Sequence, residues 1–368
     1  MCIQSDLFDR HYPIPETEGI KYAGSKLKIL PYIIKILEQL PDVKSVLDGF
    51  SGTTRVSQAF AQLKYNTTAN DISVWSEVFG KCYLIAERKY GWIQSMIDHL
   101  NGLEGYDGWF TEHYGGTESD KKKPFQIKNT RKLDAIRDEI DKITSDSCDK
   151  SVLLTSLILA LDKCDSTIGH YASYLSDWSA RSFDSIQLKM PKLFDIQSVN
   201  TVVRGNIFDI IENRSFDLAY LDPPYGSNNE KMPPSRIRYN AYYHIWKTVI
   251  LNDRPKVFGK ANRREDTRDN IDPSIFESFK INDNGKYIAM EAIDKLISKI
   301  NAHYIILSYS SGGRATKTEL MDIISNNGKL KQMFEIDYKK NVMAKMSWTN
   351  EWLAKDNTNQ EYLFLIEK

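Results

Sequence analysis

Apolar positions follow two different periods along this chain. Between residues 26 and 40, Leu27, Ile29, Leu30, Ile33, Ile34, Ile36, Leu37 and Leu40 recur every three or four positions, which predicts a helix closed by Pro41. Residues 45–48 predict a short strand, Gly49 and Gly52 a turn, residues 56–63 a helix, and residues 67–71 a second strand ending in Asn70-Asp71. A strand, a glycine turn, a helix and a strand tipped by an acid form the opening of a doubly wound nucleotide-binding fold. Residues 76–195 break that alternation. They carry long helical patterns, as at 131–143 and 151–163, few strand patterns, and a loop marked by Gly115-Gly116 and Lys121-Lys122-Lys123-Pro124. Strand patterns resume at 201–203, 218–221 and 304–308, with late strands at 332–338 and 361–367. The predicted fold class is α/β. A sheet domain from residues 20–75 and 196–368, with helices on both faces, is interrupted by a mostly helical insertion over 76–195. Residues 1–20 read as a loose arm.

Composition narrows the class. Hydrophobic residues at 41% and aromatics at 11% support a folded core and exclude a disordered chain. The 49 basic and 49 acidic side chains cancel, so nucleic-acid binding would require a local basic cleft. Cys2, Cys82, Cys148 and Cys164 are scattered without zinc spacing; no metal is expected, and reduced thiols fit the cytoplasm. The first residues do not read as a signal peptide, and no apolar run is long enough for a bilayer.

The most informative stretch is residues 218–226. An apolar strand ends in Asp222-Pro223-Pro224-Tyr225-Gly226. Prolines cannot donate to a sheet ladder, and each holds the residue before it extended. Asp222 and Tyr225 are therefore carried on stiff backbone at a strand's C-terminal end, where open α/β sheets place their ligands. An acceptor acid, a fixed carbonyl and a flat ring suit a planar amine held for attack; a Pro-Pro turn after a core strand would account for the same residues. In the glycine turn Asp48-Gly49-Phe50-Ser51-Gly52, backbone can approach a ligand closely. Asp71 lies at the spacing for an acid on ribose hydroxyls, or for a helix N-cap. Asn206 and Ile207 suit an adenine edge and face, or a simple strand-end turn. In Lys21-Tyr22-Ala23-Gly24-Ser25-Lys26, Ser25 can cap the first helix, and lysines before a helix point to an anion.

Lys-Tyr-x-Gly-Ser-Lys, Asp-x-Phe-x-Gly, a strand-end Asn-Asp and a late Asp-Pro-Pro-Tyr occur here in the order seen in D12-class (Dam-like) adenine-N6 DNA methyltransferases, and the chain resembles a restriction-modification member of that group. The likeness covers roughly residues 20–75 and 200–310. Leu307-Ser308-Tyr309-Ser310 and residues 165–171 are also similar to family segments. The resemblance implies a Rossmann-like methyltransferase sheet and S-adenosyl-L-methionine as methyl donor. Tyr22, Gly24, Ser25, Lys26, Asp48, Phe50 and Gly52 would lie at its amino-acid end, Asp71 at the ribose, Asn206 and Ile207 at the adenine, and Asp222 beside the methyl. Two departures stand out: Thr54 replaces a second glycine, and Asn206 replaces an acid.

It further implies adenine N6 in a short duplex DNA sequence as acceptor, flipped from the helix. Asp222 and the Pro223 carbonyl would take the two amine hydrogens, Pro224 would stiffen the corner, and Tyr225 would stack on the base. The insertion would read the target sequence. Lys121, Lys122, Lys123, Arg236, Arg238, Arg263 and Arg264 are candidate DNA contacts, with Lys128, Arg131, Lys132, Lys256, Lys260 and Arg268 beside them in two basic clusters that would equally serve as solvated faces. A cognate restriction endonuclease is the implied partner, and a cytoplasmic, nucleoid-associated location follows. Open alternatives are an RNA adenine or other exocyclic-amine methyltransferase, and a non-catalytic nucleic-acid-binding subunit. A nicotinamide oxidoreductase would rest on fold analogy alone.

Overall fold

Strands buried on both faces need near-continuous apolar sequence, and two such runs form the centre of the sheet. In the computed structural model, which describes residues 14–226, 238–271, 273–339 and 358–368, these are β1 (Ser45–Asp48) and a strand over Ser215–Leu221. In chain order the remaining strands of the main sheet are β2 (Asn66–Asp71), β3 (Thr201–Arg204), then β4 (the Ser215–Leu221 strand), β5 (Asn301–Ser310), β6 (Lys329–Lys339) and β7 (Thr358–Glu367). Their spatial order is β6-β7-β5-β4-β1-β2-β3. The pairs among β3, β2, β1, β4 and β5 are parallel, whereas β7 runs antiparallel between β5 and β6. The chain order reverses between β1 and β4, so the sheet has a topological switch point there.

Side chains alternate across the central strands of this sheet. Val46, Leu218, Tyr220 and Ile306 meet α1 (Leu30–Glu38) and α2 (Arg55–Gln62) on one face. Leu47, Ala219, Leu221, Ile305 and Leu307 meet α11 (Ile288–Lys299) on the other. The helix expected over 26–40 begins late. A 3₁₀ turn at Lys26–Lys28 precedes α1, and Pro31 occupies the first turn of α1, where its missing N–H costs nothing. Ser25 therefore stands before the 3₁₀ turn instead of capping α1.

A further core is helical. It gathers α3 (Val74–Gly80), α4 (Tyr90–Gly102), α5 (Trp109–Tyr114), α6 (Ile127–Ile143) and α7 (Ser147–Lys163). It also takes in α10 (His244–Leu251), from well beyond residue 195. That helix, His-Ile-Trp-Lys-Thr-Val-Ile-Leu, is apolar almost all round, the pattern of a buried helix. Its ends are tied to the insertion. His244 Nε2 lies 2.9 Å from the Tyr171 carbonyl, and burial pushes its pKa down to about 3, so a neutral imidazole donates there. Arg137, from α6, is 1% exposed and donates to the carbonyls of Val249 and Ile250. Among the described residues no helix is long and apolar enough to cross a membrane.

Arg137→Leu removes both donors to the C-terminal carbonyls of α10. It is expected to cost about 3 kcal/mol, in the range for breaking a buried charged contact. Urea unfolding measures this; an unchanged midpoint would show that α10 is held by packing alone.

Candidate active site

Four parallel strands, β1 to β4, end along one edge, and a single cavity lies against their C-terminal ends. After β1 it is lined by Gly49, Phe50 and Gly52; after β2 by Asn70, Asp71, Ile72 and Ser73; after β3 by Gly205, Asn206 and Ile207; after β4 by Asp222 and Pro224. Tyr22 and Gly24 approach from the segment before α1, and Trp75, Tyr239 and Asn240 from the helical side. Residues 273–277 close the remaining wall. Eight of the expected cofactor residues thus meet: Tyr22, Gly24, Phe50, Gly52, Asp71, Asn206, Ile207 and Asp222. The wall at 273–277 escapes sequence reasoning because it is a 3₁₀ turn (Ile275–Glu277) with neither helical nor strand period. Its one signal is the apolar pair Ile275-Phe276 in a polar stretch. Phe276 meets Phe50 edge-on, with ring centroids 5.1 Å apart.

The cavity is shaped by close backbone. Gly24 has φ +81°, and a Cβ there would lie 2.9 Å from the Tyr239 hydroxyl; a Cβ at Gly49 would lie 2.9 Å from Leu221 Cδ2. Asp71 braces the rim: Oδ1 accepts from the Ser73 N–H and hydroxyl at 2.8 and 2.7 Å, and Oδ2 accepts from the Gly52 N–H at 2.9 Å. Asn206 caps α8 (Ile207–Ile211), accepting from the Phe208 N–H at 3.1 Å. Thr54 has φ +61°, a left-handed conformation that is costly for a β-branched residue. Asn70 donates to the Gly49 carbonyl at 3.1 Å, while its buried Oδ1 has no hydrogen-bond partner among the described residues. A glycine cradle, an unmatched buried acceptor, a carboxylate at a β2 tip and apolar walls from Phe50, Ile207 and Phe276 fit an amphipathic nucleoside-containing ligand such as S-adenosyl-L-methionine.

Three expected cofactor residues lie elsewhere. Ser25 is in the turn closed by its own N–H and the Tyr22 carbonyl. The Asp48 side chain points back under the glycine turn, where Ser57 donates to Oδ2 at 2.5 Å and burial pushes its pKa up to about 7. Lys26 is drawn to two carboxylates, one buried and one half-buried. Its Nζ lies 2.9 Å from Asp222 Oδ1 and 2.7 Å from Glu361 Oε1. Ser308 also donates to Glu361 Oε1, at 2.8 Å. The Tyr225 hydroxyl lies against Asp222 Oδ1 and Glu361 Oε1, with one proton to give, and its ring tilts against Tyr309 with centroids 4.7 Å apart. Burial raises the Asp222 pKa to about 6, opposed by Lys26 and reinforced by Glu361. Pro223 is buried and Pro224 lines the cavity. Glu361 and its role at this corner are invisible in sequence order, apart from an acid opening the apolar run 362–366.

The basic candidates divide. Arg236 lies outside the described residues. Arg264 is 4% exposed and paired with Asp253 at 2.6 Å and Asp266 at 3.1 Å, so its guanidinium is committed inside the protein and is withdrawn as a phosphate contact. Arg238 is likewise buried, donating to the Ile271 carbonyl at 3.2 Å. Arg263 pairs with Asp269 at 2.9 Å. Of the lysine run, Lys121 and Lys122 are exposed and Lys123 is half-buried. Arg131 and Lys132 beside them hold Asp107 and the Asn101 carbonyl.

Known proteins of similar sequence are methylases. Modification methylase StsI of Streptococcus sanguinis is 27% identical over 95% of this chain and 52% of its own length. Type II methyltransferase M.FokI of Planomicrobium okeanokoites is 25% identical over 95% of the chain and 53% of its own. Type II methyltransferase M.NlaIII of Neisseria lactamica is 25% identical over 95% of the chain and 99% of its own. The chain thus spans about half the length of the first two relatives and nearly all of the third. Residues 22–306 match the family of D12 class N6 adenine-specific DNA methyltransferases, and the chain belongs to it.

Proposed function

We propose that this protein transfers a methyl group from S-adenosyl-L-methionine to adenine N6 in duplex DNA, on a base flipped out of the helix. The observation that carries the reading is that Asp222 lines the same cavity as Asp71, the Gly49–Gly52 turn and Ile207. One acid can thus reach an acceptor amine while the rest of the cavity holds the donor. When bound, the donor supplies an electrophilic methyl on a positively charged sulfur. Gly24 and Gly52 leave room for its amino-acid end, Asp71 suits ribose hydroxyls, and Ile207 with Phe276 suits the flat adenine.

The adenine amine is a weak nucleophile because its lone pair is delocalised into the ring. Asp222, as a carboxylate, accepts one amine N–H, and that bond strengthens as positive charge develops on nitrogen. It also fixes the direction of the lone pair, so much of the gain is alignment. The Pro223 carbonyl is the candidate acceptor for the second N–H. Tyr225, partly exposed beside the cavity and packed against Tyr309, would present what ring surface it has to the base, and base–aromatic stacking is worth about 1–3 kcal/mol against the few kcal/mol of extrusion. The relatives' names as modification and type II methylases support a modification role, with a cognate restriction endonuclease as partner.

Labelled methyl transfer to duplex DNA, followed by nucleoside analysis, tests the reading directly. Asp222→Ala is expected to lower the rate by at least about 10²-fold with donor affinity retained; a variant that methylates normally would remove Asp222 from the chemistry. The rate should depend on an ionised Asp222. Because its pKa is raised to about 6, methyl transfer should be full at neutral pH and fall as pH drops through that value, well above the range of an exposed aspartate. A flat profile down to pH 5 would contradict this. Gly24→Ala places a Cβ at φ +81° beside Tyr239, a strain of about 1–2 kcal/mol, and should weaken donor binding about tenfold in calorimetry.

A further inference from the structure

Among the described residues, Glu361 is the one member of the Asp222 corner that comes from the last strand. It sits on β7, opposite Ser310 of β5 and Ile336 of β6, and is 7% exposed. A carboxylate in the interior of a sheet costs several kcal/mol unless it is paired and hydrogen-bonded. Its partners converge on one oxygen: Lys26 Nζ at 2.7 Å, Ser308 Oγ at 2.8 Å and the Tyr225 hydroxyl. Lys26 Nζ is shared in turn with Asp222 Oδ1, at 2.9 Å. One ammonium therefore bridges two acids, and only one of them, Asp222, lines the cavity. A base amine that bonds to Asp222 competes with Lys26 for the same carboxylate. Were Asp222 the sole counter-charge of Lys26, that competition would strand a buried ammonium.

We propose that Glu361 is a positioning residue for the reaction: it holds Lys26 beside Asp222 and keeps it when the incoming amine takes the ammonium's place on the acid. This rests on the function proposed above. Lys26 thereby balances part of the negative charge of the two acids before the base arrives, and after the exchange the ammonium still has Glu361 as its counter-charge. Ser308, already bonded to Glu361, holds that carboxylate in place while Lys26 shifts. Among the described residues the titratable groups facing Asp222 are Lys26 from the 3₁₀ turn, Glu361 from β7, Tyr225 from its own loop, Tyr220 from β4, Tyr239 from α9 (Tyr239–Tyr242) and Asp48 from β1. Of these only Glu361 and Asp48 are carboxylates, and Asp48 is bonded to Ser57, away from Lys26.

The test compares wild-type protein, Glu361→Gln and Glu361→Asp in two readouts. The first is the Asp222 titration, followed by carbon NMR on carboxyl-labelled aspartate and assigned with Asp222→Asn. The second is the rate of methyl transfer to duplex DNA, with donor affinity measured alongside. In Glu361→Gln a negative neighbour is gone, so Asp222 should titrate at lower pH by about one unit. Lys26 then clings to Asp222, and the rate should fall about tenfold, the equivalent of one charge-assisted hydrogen bond, with donor affinity unchanged. Glu361→Asp, whose shorter carboxylate recedes from Lys26, should fall between the two in both readouts, and it decides the matter if the glutamine variant does not fold. A folded variant in which Asp222 titrates as in wild type, or in which methyl transfer keeps its full rate, would overturn the proposal. Wild-type protein that methylates no adenine would instead refute the underlying function, while the titration would still report whether Glu361 and Asp222 are coupled.

Discussion

Everything at this site depends on keeping one aspartate ionised where ionisation is expensive. Asp222 ends a strand buried on both faces, and burial alone would favour its neutral form. Lys26 offsets that cost from 2.9 Å, and Glu361 offsets the cost of burying Lys26. The three charges come from a turn before the first helix, the fourth strand and the last strand. The active corner therefore exists only when the sheet is complete. Such an arrangement is a poor source of stability, since buried ion pairs gain little over apolar packing. What it secures is geometry: an acceptor oxygen fixed beside a cavity.

The sheet order makes that cavity possible. Parallel strands β1, β2, β3 and β4 deliver their C-terminal ends to one edge, and the reversal of chain order between β1 and β4 opens a crevice there. Each strand contributes one element of chemistry: a close glycine turn, a bracing acid, a capped helix start and the Asp-Pro-Pro-Tyr corner. The helical unit reaches the same crevice through Tyr22, which stacks on Tyr243 with centroids 4.6 Å apart, and through Tyr239. Ala23 donates its N–H to the Tyr243 hydroxyl at 2.6 Å, and Lys21 pairs with Asp165 at 2.7 Å. The segment at 21–26 thus joins the insertion to the catalytic sheet, and this places the predicted Lys-Tyr-x-Gly-Ser-Lys motif in both units at once.

Much of this was legible in sequence, for identifiable reasons. The central strand over Ser215–Leu221 announced itself because both faces are covered, so its residues run nearly apolar, whereas β2, Asn-Thr-Thr-Ala-Asn-Asp, was legible only from the acid at its tip and its place after a glycine turn and a helix. The glycine turn, Asp71 and Asp222 were legible because strand ends in a doubly wound sheet converge, whatever lies between them. What stayed hidden depends on contacts distant in sequence. Even where the acids are close in sequence, as Asp266 and Asp253 are to Arg264, a basic cluster looks the same whether its guanidinium faces DNA or is folded back onto the chain's own carboxylates. The helix at His244–Leu251 lies downstream of the insertion yet belongs to its core, because an all-round apolar helix joins whichever core has room. Lys26 read as a residue for the anion of a bound ligand; in the fold its partners are instead the protein's own carboxylates, Asp222 and Glu361.

The most direct measurement is a crystal structure of the protein with a non-reactive donor analogue and a duplex bearing its target adenine. The analogue is expected between the glycine turn and Phe276, and the extruded adenine with its N6 within hydrogen-bond distance of Asp222. An adenine still stacked in the duplex, or a donor bound away from the β1–β4 edge, would contradict this.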